Sequence, residues 1–232
     1  MSSLAEFYDV FDANGPAFAR GLWLTIQLLV LSGGLGIALA VPVALLRVSR
    51  SRLARGASFG FTYLFRGTPQ LAQLFLIYYG LAQFDFIRAS VLWPVLREPW
   101  PCALIALTLN VAAYLAEVLR GGIQGVPAGE REAAIAMGMS PALLFRRIVL
   151  PRAFGIAFPM LGNELIILLK CTALVSTITL LDVTGVARHI VTRTYSTDAL
   201  IVAGLIYISL TYVISRALKH AERRLNRHLL RA

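Results

Sequence analysis

The stretch Ala128–Pro151, AGEREAAIAMGMSPALLFRRIVLP, decides how this chain is read. Apolar runs long enough to cross a bilayer lie on both sides of it. It nevertheless holds Glu130, Arg131, Glu132, Arg146 and Arg147, and a Gly-Met-Ser-Pro break in its middle. Cap chemistry turns it into two short helices. Pro127 opens the first where a missing N–H costs nothing. Glu130 and Glu132 favour the positive end of its dipole, and Ala133, Ala134 and Ala136 are strong helix formers. Gly138 ends it as a C′ glycine. Ser140 then reads as an N-cap with Pro141 at the first helical position. The second helix runs through Leu144, Phe145 and Ile148, and Pro151 marks the turn out of it. The spacing predicts a compact helix–turn–helix knob over 126–151. An amphipathic connector lying on headgroups fits the periodicity equally. Against it stands the small apolar face of the first helix, whose Ala and Gly admit a protein closely but insert poorly into lipid.

The flanks set the class. Of 232 residues 58% are hydrophobic and 15% charged, with mean hydropathy +0.72; a soluble domain carries about 25% charge. Five apolar runs predict membrane spans at about 21–46, 56–84, 101–119, 153–181 and 199–215. The first, as a helix, is roughly 39 Å long at about 1.5 Å per residue. Pro42, Pro69 and Pro159 lie inside runs, which membrane helices tolerate. Gly33, Gly34 and Gly36 read as sites of close helix packing. Cys102 and Cys171 read as packing residues. Among the first residues Glu6, Asp9 and Asp12 are acidic, so no cleavable signal peptide is expected.

The net charge of +10 does not point to nucleic acid, because the charges cluster between apolar runs. Segments 47–55, 120–152 and 216–231 hold 15 of the 22 basic residues, against 5 in segments 1–20, 85–98 and 182–198. The bias places the N-terminus outside, and the C-terminus and the knob in the cytoplasm.

The segment EREAAIAMGMSPALLFRRIVLP (130–151) resembles the EAA motif of ABC-importer permease subunits, with Glu132, Ala133, Ala134 and Gly138 on its most characteristic positions. RGTPQLAQLFLIYYGL (66–81), AAYLAEVLRGGIQGVPAGE (112–130) and GNELIILLKCTALVSTITLLDVTGVA (162–187) resemble segments of the polar amino acid uptake branch. The likeness runs from about residue 20 to 220, and is nearest to the M-type subunits that handle histidine, arginine, ornithine or opines. It implies an all-α integral membrane fold of the type I importer class, with five spans and a cytoplasmic coupling helix. It implies a sister permease, as a heterodimer, two ATPase subunits that bind ATP and Mg, and a periplasmic solute-binding protein, in a bacterial inner membrane. Glu132, Ala133, Ala134, Gly138 and Ser140 would then couple to the ATPase. No G-x-x-x-x-G-K-[ST] occurs, and Lys170 and Lys219 each follow a Leu, so ATP hydrolysis is expected in a partner chain and no cofactor in this one.

Charges inside the spans need reasons, since each costs roughly 2.5–3.5 kcal/mol at a helix centre. Snorkelling suffices for Glu117 and Lys170 near predicted ends. Arg66, before Gly-Thr-Pro, either satisfies freed carbonyls or lines a path near a substrate carboxylate. Glu164 follows Gly162-Asn163 and Pro159, where local distortion of the helix is expected. It stands six residues and about 240° from Lys170, a poor pairing geometry. A cationic substrate side chain or the sister subunit would satisfy it. Thr68, Gln73, Asn163, Thr172 and Ser176 are polar candidates for the lining, and Thr68, Asn163 and Ser176 are chosen with Arg66 and Glu164 as substrate-binding residues. A broader range of polar amino acids is an alternative. So is an ion-coupled carrier acting alone, with Glu164 and Arg66 as a relay.

Overall fold

The structure, a computed structural model, describes residues 4–225, with side chains from Ala13 onward. Glu6, Asp9 and Asp12 fall before the described side chains, and Arg227, His228 and Arg231 after the described residues. Among the described residues everything regular is helix. Four helices are long and apolar enough to cross a membrane: Ala13–Arg47, Pro99–Gln124, Pro141–Ile178 and Asp198–Leu225. The first belongs to α1 (Leu4–Arg47), which continues through Pro16 and Pro42 without ending.

The expected second span, 56–84, is not one helix. It consists of α2 (Arg52–Gly67) and α3 (Gln70–Phe75), followed by a widened turn over Leu76–Gly80 and a tightened one over Leu81–Gln83. Pro69 is the cause. It has no N–H to give, and its ring forces Thr68 to an extended backbone (φ −114°, ψ 145°). Two single-turn helices, α4 (Asp85–Arg88) and α5 (Trp93–Leu96), lead into α6 (Pro99–Gln124).

Helix α6 is the centre of the bundle. Ala103, Ala106, Leu107, Val111, Leu115 and Ala116 bury against Leu28, Leu29, Ala40 and Ala44 of α1, Leu74 of α3, and Leu168 and Leu169 of α9 (Leu150–Thr172). Small residues set the spacing. A Cβ at Gly36 would stand 2.4 Å from Val111 Cγ1, and one at Gly122 only 2.5 Å from the Ala153 carbonyl oxygen. Gly33 makes ordinary contact with Leu165 and Leu168, and Gly34 faces open space, so of the three clustered glycines Gly36 is the close-packing one. Cys102 and Cys171 are free thiols.

After Thr172 the chain tightens over Ala173–Ile178, reverses at Thr179 (φ 75°) and enters α10 (Val183–Thr194), then α11 (Asp198–Leu225). Buried Asp182 caps α10. It accepts hydrogen bonds from the backbone N–H of Gly185 (2.9 Å) and Thr184 (3.3 Å), and from the Tyr207 hydroxyl of α11 (3.0 Å). One carboxylate thus ties two helices together. Asp182→Ala removes a cap and takes the acceptor from the part-buried Tyr207 hydroxyl, which keeps its contact with the Thr184 hydroxyl, an expected loss of about 2–3 kcal/mol. A lowered melting temperature of the purified assembly would register it, with partial recovery in Asp182→Asn.

The opening stretch folds as α7 (Ala128–Ala136) and α8 (Pro141–Leu144), but the turn expected at Pro151 is absent. A widened turn over Phe145–Val149 runs straight into α9, with Pro151 in its first turn. Pro151 cannot donate to a carbonyl four residues back, and the wider register absorbs the missing donor without a bend. The knob is therefore α7 folded back against the start of one long helix. α9 itself stays regular through Pro159, so the distortion expected near Glu164 is also absent.

Candidate functional site

The break at Thr68–Pro69 frees carbonyls, and nearby side chains collect them. Gln73 Nε2 donates to Phe65 O (2.8 Å), and Asn110 Nδ2 donates to the same oxygen (3.2 Å) and to Gln73 Oε1 (3.0 Å). The Thr68 hydroxyl donates to Leu64 O (2.8 Å), and the Tyr114 hydroxyl to Arg66 O (3.4 Å). The carbonyls are thereby met without Arg66. Its guanidinium instead lies over the Tyr114 ring, 5.2 Å from the centroid, with no ion pair among the described residues.

A cavity of about 360 Å³ opens here, walled by Arg66, Thr68 and Gln70 from the break, Asn110 and Tyr114 from α6, and Glu164 and Cys171 from α9. Glu164 is 8% exposed, and no hydrogen bond or ion pair reaches its carboxylate among the described residues. A second cavity of about 390 Å³ shares Arg66, Tyr114 and Glu164. It runs toward the α7 end, past Glu117, Arg120 and Gly122 on α6 and Ile156 and Met160 on α9. The two form one path along the α6–α9 seam, and the shared trio stands at their junction. The junction therefore brings together a guanidinium and a carboxylate that form no ion pair with each other among the described residues, although the Arg66 charge acts on Glu164.

The other expected candidates lie elsewhere. Asn163 is exposed on α9 and does not line either cavity. Ser176 donates to Ala173 O (2.9 Å), and Thr172 to Leu169 O (2.6 Å), both within their own turns. Lys170 is exposed and makes no ion pair among the described residues. Glu117 does not snorkel: Arg47 of α1 and Arg120 each bring Nε to 2.7 Å from its carboxylate. Asn110 and Tyr114 were missed from sequence. An Asn inside an apolar run was the available signal, because an amide in a span needs a partner or a cavity.

In the knob, Gly138 has φ 77°. The Met139 N–H reaches Ala134 O (3.1 Å), and the Gly138 N–H reaches Ile135 O (2.9 Å), a complete Schellman closure. The Ser140 hydroxyl accepts from the Leu143 N–H (3.4 Å) with Pro141 next to it. Ala134 is buried, while Glu132, Ala133 and Ser140 are exposed. Ile135 and Met137 expose 60% and 80% of their surface. Arg152 holds Glu130 through both carboxylate oxygens, fastening α7 to α9. The hydrogen bond from Arg152 keeps the Glu130 carboxyl below the usual carboxylate range. A lowered carboxyl stays charged throughout the neutral range, and the pair is lost only as pH falls through that lowered value.

Comparison with known proteins adds the rest. Residues 33–227 match the model of the family described as binding-protein-dependent transport system inner membrane component. The chain is 49% identical to the nopaline transport system permease protein NocM of Agrobacterium fabrum, over 92% of this chain and 90% of that one. It is 39% identical to the histidine/lysine/arginine/ornithine transport system permease protein HisM of Salmonella typhimurium, over 95% and 92%. A crystal structure of an amino acid ABC transporter with histidines superposes with a TM-score of 0.86 at 34% identity, over 97% of this chain and all of that one. The fold is thus that of the type I importer permeases. The chain belongs to the family of binding-protein-dependent transport system inner membrane components, and is a multi-pass inner-membrane transport subunit, not an enzyme.

Proposed function

We propose that this chain forms half of the path of an ATP-driven importer for basic amino acids or opines, with Glu164 receiving the substrate's cationic side chain and Arg66 its carboxylate. The observation that carries this reading is the buried Glu164, which no hydrogen bond or ion pair reaches among the described residues, lining the same open cavity as Arg66. A buried carboxylate without a partner is costly unless a cation visits it. Thr68 shapes the same wall, although its hydroxyl is already engaged by Leu64 O and Gln73. The names of NocM and of HisM, which handle nopaline and basic amino acids respectively, agree with this class.

The remaining machinery follows the same reading. A sister permease supplies the other half as a heterodimer, two ATPase subunits bind ATP and Mg, and a periplasmic binding protein delivers the substrate. The Arg and Lys bias sets the N-terminus outside and α7 in the cytoplasm. There α7 seats in the ATPase through exposed Glu132, Ala133, Ile135 and Met137, on a corner shaped by Ala134, Gly138 and Ser140.

The test is uptake by the complete assembly in proteoliposomes supplied with ATP and the binding protein. Arginine, ornithine and an opine are expected to compete with one another. Glutamine at equal concentration should compete at least about tenfold more weakly, the worth of about 1.4 kcal/mol. Equal competition by glutamine would replace this reading with a broad polar range, and uptake without the ATPase would replace it with a lone carrier.

A further inference from the structure

We propose that an apolar slot among the four membrane-spanning helices holds an acyl chain of a bilayer phospholipid. The slot encloses about 330 Å³. Gly33 and Ile37 of α1, Val111 of α6, Phe158 and Leu165 of α9 and Leu218 of α11 stand in its walls, and every lining residue is Gly, Val, Leu, Ile or Phe. These four helices are the ones long and apolar enough to span. Ile37 and Phe154, both in the lining, are 37% and 39% exposed, so the slot opens outward. Val30 and Val41 are exposed as well and continue the apolar surface along α1. In an inner-membrane subunit the slot is thus continuous with the surface that the spans give to the bilayer.

The glycines of α1 separate close packing from open space. Gly36 is dictated by contact, since a Cβ there would strike Val111. Gly33 and Gly34 are not. A Cβ at Gly33 would stand 3.6 Å from Leu165 Cδ1 and Leu168 Cδ2, an ordinary contact, and one at Gly34 meets nothing within 4 Å. Glycine inside a helix is destabilising relative to alanine, yet both positions at the mouth of the slot leave it unfilled. Width and polarity decide what enters. An amino acid finds no partner there for either of its charges. A helix of the sister permease, about 10 Å across, would enter a space of this size for less than one turn. Water does not settle in an apolar void, and an empty one forfeits the dispersion contacts of its walls. An acyl chain is narrow, flexible and apolar, and it is the solvent at that depth. Val111 and Leu168 also line the substrate cavity, so the chain fills the space behind the wall that carries Glu164.

The experiment puts a photoreactive benzoylphenylalanine in place of Phe158, or of exposed Val30 as the surface control, in the complete transporter in its native membrane. After irradiation the assembly is purified and this chain is weighed by mass spectrometry. A phospholipid adduct is expected at Phe158. Gly33→Leu, whose side chain starts against Leu165 and Leu168, should abolish that adduct and leave the one at Val30 unchanged, whatever its partner. Gly34→Leu, which meets no neighbour at Cβ, gives the same reading should Gly33→Leu fail to assemble. A Phe158 adduct with the sister permease overturns the proposal and makes the slot a subunit contact. So does the absence of any Phe158 adduct. A phospholipid adduct that the filled slot leaves at full strength overturns it too, since the label then reports lipid on the outer surface alone. None of these outcomes bears on Glu164, whose role uptake tests separately.

Discussion

Glu164→Gln is expected to lower arginine uptake by on the order of 100-fold, since parting a buried charge pair costs about 3 kcal/mol or more. The size of the effect follows from where the carboxylate sits. Glu164 is almost fully buried, at the junction of two cavities, and among the described residues it has no ion-pair partner, only the more distant charge of Arg66. Its attraction for a substrate guanidinium is therefore weakly screened. Arg66 lines the same cavities, but its guanidinium lies over the Tyr114 ring and makes no ion pair with Glu164. Gln keeps the shape and an acceptor, so the fold and the packing of α9 on α6 should survive. The loss should fall on cationic substrates alone. Residual uptake of glutamine, measured beside arginine in the same vesicles, should hold or rise. Unchanged arginine uptake with unchanged charge preference would sink the role given to Glu164. An equal fall for both substrates would make Glu164 a structural contact of the assembly.

Glu164 was legible because a carboxylate in an apolar run is conspicuous, and because its spacing from Lys170 excluded an easy internal pair. The break at Pro69 was legible too, since Gly-Thr-Pro loosens any helix. Its consequence was not. Which side chains close the freed carbonyls depends on α6 crossing the break, and that crossing brings Asn110 next to residues 37 positions or more earlier in the chain. Sequence spacing along one helix says nothing of such a contact. The same limit explains Glu117, which looked like a snorkelling end residue until α1 brought Arg47 to it. It explains Ser176 as well: a polar row suggested a lining, but a hydroxyl that can reach the carbonyl three residues back needs no cavity. Pro151 misled for a different reason. A proline usually marks a boundary, yet a widened turn before it can hide the missing donor and let the helix continue. The caps at Gly138 and Ser140 were fully local, which is why residues 138–141 could be read with no structure at all.

That local corner carries the second large effect. Gly138→Val is expected to cut ATP-driven uptake at least about tenfold while leaving the protein folded in the membrane. The left-handed backbone at φ 77° costs an L-residue about 1–2 kcal/mol, and a β-branched one more. Nothing lies within 4 Å of the position a Cβ would take, so neighbours impose no further penalty and the strain stays in the corner. Relief comes from abandoning the left-handed turn. That breaks the hydrogen bonds from Met139 to Ala134 and from Gly138 to Ile135, and swings α7 off the start of the long helix. The bundle core does not depend on those bonds, because α7 contributes only Ala134 to buried apolar surface. The expected result is normal membrane insertion with less ATPase recovered per permease on purification. Gly138→Asn, which tolerates the left-handed region, should stay near the unaltered protein. Glu132→Ala, which leaves the corner intact, should weaken docking less than Gly138→Val. If Gly138→Val recovers the ATPase in full and transports normally, α7 is not where ATP hydrolysis reaches this chain, and the headgroup-lying connector becomes the better account of residues 128–136.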